Sequence, residues 1–162
     1  MPVTMDINSR LRSLTCGFTR QELLVVGIGN TLCGDDAAGP LVCQGLKAFA
    51  PDRVIDAGAV PENHIGRIVR QAPRLLLVVD AVHLGETPGT IQVLPSEGIR
   101  SPTIGTHAVS LRFLVDMIRC EISCDVFLVA IQPANMRLNE PLSESVSRAV
   151  ATLTEVLAPI LR

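Results

Sequence analysis

The chain has 162 residues, 48% of them hydrophobic and 19% charged, with 14 basic against 16 acidic side chains and a formal charge of −2. That length suits one domain with a sizeable core, and the composition excludes disorder as the main state. Four Phe without Tyr or Trp, and no basic excess, supply neither stacking platforms nor an attractive field for nucleic acid. No stretch approaches 18 consecutive apolar residues, so no membrane insertion is expected.

In chain order, residues 1–21 lack the apolar run of a secretory signal and read as a poorly ordered N-terminal tail. A single domain is expected over 22–162. Leu23 to Ile28 is apolar on both faces and is followed by glycine, the pattern of a fully buried strand. Asp35-Asp36 opens a helix running to about Ala50, with Pro40 tolerable because it falls in the first turns. Arg53 to Asp56 is a short second strand, and Pro61 starts a helix carrying Ile65, Ile68 and Val69 on one face. Leu75 to Asp80 is the most strongly apolar strand. After the loop Gly85-Glu86-Thr87-Pro88-Gly89, Thr90 to Leu94 alternates like a one-sided strand near an edge. A helix after His107 aligns Leu111, Leu114, Val115 and Ile118. Val126 to Ile131 is a fifth strand, and Leu142 to Leu161 closes the chain as a helix with Val146, Val150, Leu153 and Leu157 facing inward.

Strands alternating with helices predict an α/β fold, a three-layer α/β/α sandwich around a mostly parallel five-stranded sheet. Right-handed crossovers favour the order 2-1-3-5-4, with strand 4 antiparallel at an edge. Ligands in such sheets sit at the carboxyl ends of the strands where the order reverses. Here that crevice lies between the first and third strands.

Five cysteines (Cys16, Cys33, Cys43, Cys120 and Cys124) include no C-x-x-C pair, which argues against zinc ribbons and thioredoxin-type sites. Reduced thiols in a cytoplasmic protein are expected. Gly27-Ile28-Gly29 begins like a dinucleotide fingerprint, and Asp56 stands where a ribose-binding acid would. Leu32, however, replaces the third glycine, and Asp35 and Asp36 put negative charge where a pyrophosphate needs positive potential.

The two acids fit another chemistry. Asp36 follows the first strand and Asp80 ends the third, so both line one crevice, and adjacent strands about 4.8 Å apart let carboxylates share a cation or a proton. A cap or dipole role accounts for either Asp35 or Asp36 alone. Asp35 is expected to be mainly a helix-start residue whose replacement by Asn costs about 1 kcal/mol or less. Asp80 follows five apolar residues, where an unpaired charge would cost several kcal/mol. His64 and His83 lie in polar surroundings and read as surface residues, whereas His107 heads the fourth helix, where the alternatives are a helix-end histidine and a ligand. Two Asp and one His form an open hard-to-borderline metal site suited to nickel, zinc, iron or manganese.

Taken in order, Gly27-Ile28-Gly29-Asn30 with Gly34-Asp35-Asp36 and Gly39-Pro40, Asp80-Ala81 with Gly85 and Pro88-Gly89, Thr106-His107 with Leu111, and Ile131-Gln132-Pro133 resemble the [NiFe]-hydrogenase maturation endopeptidases. The match spans about residues 22–160. Gly58 to Asn63 and the Asp-Asp pair resemble the type serving the hydrogenase of formate hydrogenlyase complexes. The resemblance implies a cytoplasmic, monomeric hydrolase that removes a short C-terminal peptide from the precursor of a hydrogenase large subunit once nickel is in place. It also implies that Asp36, Asp80 and His107 are the catalytic and metal-contacting residues, with nickel carried by the substrate precursor and no organic cofactor. Whether catalysis is aspartic or metal-assisted stays open at this level. The rival reading is a non-hydrolytic nickel- or nucleotide-binding accessory protein using the same crevice.

Overall fold

The structure, a computed structural model, describes residues 6–97 and 108–162. Five strands, β1 (Leu23–Ile28), β2 (Val54–Gly58), β3 (Leu75–Ala81), β4 (Ile91–Pro95) and β5 (Asp125–Ile131), form one sheet in the order β2-β1-β3-β5-β4. β1 pairs in parallel with β2 and β3, β3 pairs in parallel with β5, and β4 runs antiparallel to β5 at the edge. The strand order and the antiparallel edge expected from the sequence are both present.

Helices α1 (Ile7–Thr15), α2 (Ala38–Lys47), α3 (Ile65–Gln71), α4 (Ala108–Glu121) and α5 (Glu144–Ile160) cover the two faces. Alternation along the central strands feeds two separate cores. Leu23, Val25, Leu75, Leu77 and Val79 pack with Val42 and Leu46 of α2 and with Val146, Leu153 and Leu157 of α5. Leu24, Val26, Leu76 and Val78 pack on the other face with Ile68 of α3 and with Leu111, Leu114 and Ile118 of α4. β1 and β3 are buried at every position, which is why they read as unbroken apolar runs. Each fully buried Leu or Val contributes on the order of 1.5–3 kcal/mol.

The tail expected over residues 1–21 is corrected in part, because residues 7–15 form α1 and join the first core. Ile7, Leu11 and Leu14 recur at i, i+4 and i+7, placing one apolar stripe against α5 and β4. Leu11 is fully buried. The Asp6 side chain accepts a hydrogen bond from the Ser9 N–H (3.0 Å) and caps the helix. Arg20 then fastens the segment to the far end of the chain, donating to the Leu161 carbonyl (2.7 Å) and to Asp52 (2.6 Å).

Helix α2 begins one 3-10 turn (Gly34–Ala37) after the loop that follows β1. Gly27 and Gly39 face each other across this strand–helix contact. A Cβ on Gly39 would lie 2.5 Å from the Val79 carbonyl oxygen and would collide with that of Ile28. A Cβ on Gly27 would collide with the Gly39 carbonyl and stand 2.6 Å from Cys43 Sγ. Gly29, at φ +146°, is likewise closed off, a Cβ there colliding with the Asp36 carbonyl, so both glycines of the apparent dinucleotide fingerprint serve close packing against the start of α2, which lies over the carboxyl ends of β1 and β3.

Candidate active site at the carboxyl edge

Asp36 lies in the 3-10 turn before α2 and is 6% exposed; Asp80 is the sixth residue of β3 and is 3% exposed. The 3-10 turn packs against β3, so both acids belong to the carboxyl edge of the two central strands. Asp80 continues the row of Leu76 and Val78, which face α3 and α4, and pairs in register with Ala130 of β5. Asp36 accepts a hydrogen bond through Oδ2 from the Asn30 N–H (2.9 Å). A loop amide that a bound phosphate would need is thus already turned toward a carboxylate of the protein, which argues against nucleotide binding here.

His107 lies outside the described residues, directly before the first residue of α4. Among the described residues no three His, Cys, Asp or Glu side chains come together as a metal-holding group. His83 is exposed and His64 is half-buried on the turn before α3. Asp56 is exposed in the middle of β2, where its side chain accepts from the Gly58 N–H (3.1 Å) two residues along the same strand.

Asp35 behaves differently from the expectation. It stands in the first turn of its short helix, yet its carboxylate does not cap that helix. It is fully buried and reaches across to the loop after β5. Oδ2 accepts from the Ala134 N–H (2.7 Å), the Asn135 N–H (3.1 Å) and the Ser143 hydroxyl (2.9 Å), while Oδ1 accepts from the Ser143 N–H (2.7 Å). The Asp35 N–H in turn donates to the Asn135 carbonyl (2.9 Å). Gly34 adopts φ +54°, and a Cβ there would sit 2.9 Å from Asn135 oxygens, so the two loops meet without room for a side chain. The role of a helix-start acid worth 1 kcal/mol or less is therefore corrected: Asp35 binds the loop bearing Asp36 to the loop 133–143.

A second organiser was missed in the sequence as anything more than part of a motif. Gln132 is buried at the end of β5, where Oε1 accepts from the Leu84 N–H (2.6 Å) and Nε2 donates to the Pro133 carbonyl (3.0 Å). Its backbone accepts from the Gly89 N–H (2.8 Å) and donates to the Thr90 carbonyl (2.9 Å). Gln132 thus fastens the loop after β3 to β5, while Asp35 fastens the loop after β1 to the segment after β5. The three loops of the carboxyl edge form one hydrogen-bonded rim around Asp36 and Asp80. The signal in the sequence was a lone amide following an apolar strand and preceding proline.

Such a rim is rigid scaffolding around two buried acids, the arrangement from which pairs of carboxylates do acid–base work or hold a cation. Comparisons with known proteins place the chain in a family. The family model for HycI, hydrogenase maturation protease, matches residues 42–160. This chain belongs to the hydrogenase maturation protease family. The hydrogenase 3 maturation protease of Escherichia coli strain K12 is 34% identical over 133 residues, covering 80% of this chain and 85% of that protein. The crystal structure of the [NiFe] hydrogenase maturation protease HycI from Thermococcus kodakarensis KOD1 superposes with a TM-score of 0.83 at 31% identity. That superposition covers 94% of this chain and 99% of the other. The solution structure of the endopeptidase HycI from E. coli gives a TM-score of 0.71 at 32% identity, covering 82% and 86%. The chain is accordingly a maturation protease, a hydrolase, and among its described residues no helix is long and apolar enough to cross a membrane.

Proposed function

We propose that this maturation protease removes a short C-terminal peptide from the nickel-loaded precursor of a [NiFe]-hydrogenase large subunit, with Asp36, Asp80 and His107 as the working residues. The observation that carries the reading is the pair of acids, 6% and 3% exposed, held at one sheet edge by a hydrogen-bonded rim in a member of this family. Desolvating a carboxylate is costly, and a fold keeps such groups most readily where they meet a charge or a proton during turnover.

In this reading nickel belongs to the substrate. Precursor thiolates hold the metal and leave positions that two carboxylates and a neutral imidazole complete, so only loaded precursor is docked with its scissile bond in place. Two catalytic types then remain distinct proposals. The acids act as a general acid–base pair sharing a proton, or they orient the substrate's own metal so that the scissile carbonyl is polarised. In either, Asn30 fixes one oxygen of Asp36, leaving the carboxylate oriented before substrate arrives. The protein is expected to work as a monomer in the cytoplasm, without an organic cofactor.

The test incubates the protein with nickel-loaded and nickel-free precursor and follows the C-terminal peptide by mass. Release from loaded precursor alone supports the reading. Equal release from both removes the metal-recognition step but leaves a peptidase. Binding of loaded precursor with no release favours a non-hydrolytic accessory protein.

A further inference from the structure

Two leucines on the rim have no part in either core. Leu32, in the loop after β1, is 62% exposed, and Leu138, in the loop 133–143, is 64% exposed. Their loops are joined directly, because the Asn139 N–H donates to the Leu32 carbonyl at 2.7 Å. Both are also held in shape. The Leu32 N–H donates to the Asn30 side chain (3.0 Å), the Arg137 N–H donates to that of Asn135 (3.1 Å), and Asn139 adopts φ +61°. An exposed leucine alone is ordinary. Two on loops joined by a backbone hydrogen bond, both loops pinned by the buried Asp35, offer apolar surface with little ordering entropy left to lose on binding.

Its position identifies what covers it. Leu32 is four residues from Asp36 on one loop, and Leu138 lies between Asn135 and Ser143, the partners of Asp35. Asn30 links the loop to the acid, its N–H donating to Asp36 and its side chain accepting from the Leu32 N–H, so a protein whose chain reaches Asp36 brings its folded body against this loop. We propose that Leu32 and Leu138 form a docking surface for an apolar patch on the folded body of the large-subunit precursor. This deepens the functional reading above and rests on it. Binding energy is then collected on the body of the precursor, away from the bond that is cut.

The experiment uses the full chain carrying Leu32→Ser, Leu138→Ser or both. Circular dichroism and Tm should match the parent, since neither side chain is buried. With nickel-loaded precursor, KM should rise roughly tenfold per leucine while kcat stays within about twofold. Binding is measured in parallel with Asp80→Asn protein, so that docking is read independently of cleavage. If that protein binds precursor and loses affinity on the leucine changes, the docking surface stands even where cleavage fails and the site assignment falls. Unchanged KM and affinity in the double variant overturn the proposal, as does a fall in kcat with KM unchanged. Sedimentation showing a dimer that the leucine changes dissociate also overturns it, in favour of a second copy of this chain.

Discussion

Replacing Asp35 by Asn tests the rim most sharply, because the substitution keeps shape and removes only charge and one acceptor. The carboxylate receives four hydrogen bonds, three on Oδ2 and one on Oδ1. An amide has a single acceptor oxygen. If that oxygen takes the Oδ2 position, the NH2 group points at the Ser143 N–H, donor against donor. One charge-assisted bond is lost at about 1.5–3 kcal/mol, and a buried N–H is stranded at about 1–3 kcal/mol. The three surviving bonds weaken as well, so the expected loss is about 3–5 kcal/mol. A domain of this size has roughly 5–15 kcal/mol in all. At about 2–4 °C per kcal/mol, Tm should fall by roughly 6–20 °C, and the urea midpoint by more than about 1 M. Thermal and urea unfolding followed by far-ultraviolet circular dichroism measure both. Asp52→Asn, which breaks an exposed pair with Arg20, serves as control and should cost no more than about 1 kcal/mol. A Tm for Asp35→Asn within about 3 °C of the parent would refute the reasoning and restore Asp35 to a helix-start acid.

Gly39→Ala should destabilise by several kcal/mol or abolish folding, since its Cβ meets the Ile28 and Val79 backbone rather than a movable side chain; chemical unfolding measures it. Glu22 is held down at about 2 by the Thr19 N–H first and by Arg74 second. A carboxylate depressed in the folded state adds stability above its unfolded value of about 4.5, and that stability drains away as pH falls toward 2. Glu22→Gln should therefore lower Tm near neutrality and flatten the acid limb of the Tm-against-pH curve between about pH 5 and 2, so that the two curves converge toward pH 2. Burial and the nearby Asp56 charge push the Cys43 thiol up to about 12, and burial raises Cys124 to about 11. In native protein a thiol reagent should titrate exposed Cys16 and Cys120 quickly, while Cys43 and Cys124 react only on unfolding.

What the sequence disclosed followed from burial. Strands such as Leu75 to Asp80 are covered on both faces, so their composition alone announces them, and the connection lengths left few strand orders to choose from. The stripe Leu111, Leu114, Val115 and Ile118 is likewise fully inside. That Asp36 and Asp80 stand at the carboxyl edge of the central strands was legible, because one follows the first apolar strand and the other ends the third. α1 was not legible: its stripe is only three residues wide in a polar segment, and its helicity depends on packing against α5, which lies more than a hundred residues away. Asp35 was misjudged for the same reason. Local sequence shows an acid at a helix start, while its four donors come from residues 134–143, and a contact at that separation leaves no periodic trace. Gly27 and Gly29 were ambiguous by themselves, since close strand–helix packing and phosphate binding call for the same residue, and Leu32 with the two acids decided against the phosphate. His107 falls outside the described residues, so its place beside the acids rests on the resemblance.

The most direct measurement of the central claim is the intact mass of a nickel-loaded large-subunit precursor after incubation with the parent protein, with Asp36→Asn or with Asp80→Asn, each confirmed folded by circular dichroism. Asparagine nearly preserves the shape of either acid while removing the charge needed for a shared proton or a metal contact. The account predicts one shortened precursor and one released C-terminal peptide with the parent protein, and an unchanged precursor with either variant. Shortening by a folded Asp36→Asn or Asp80→Asn protein at the parent's rate would contradict the assignment of these two buried acids as the working site.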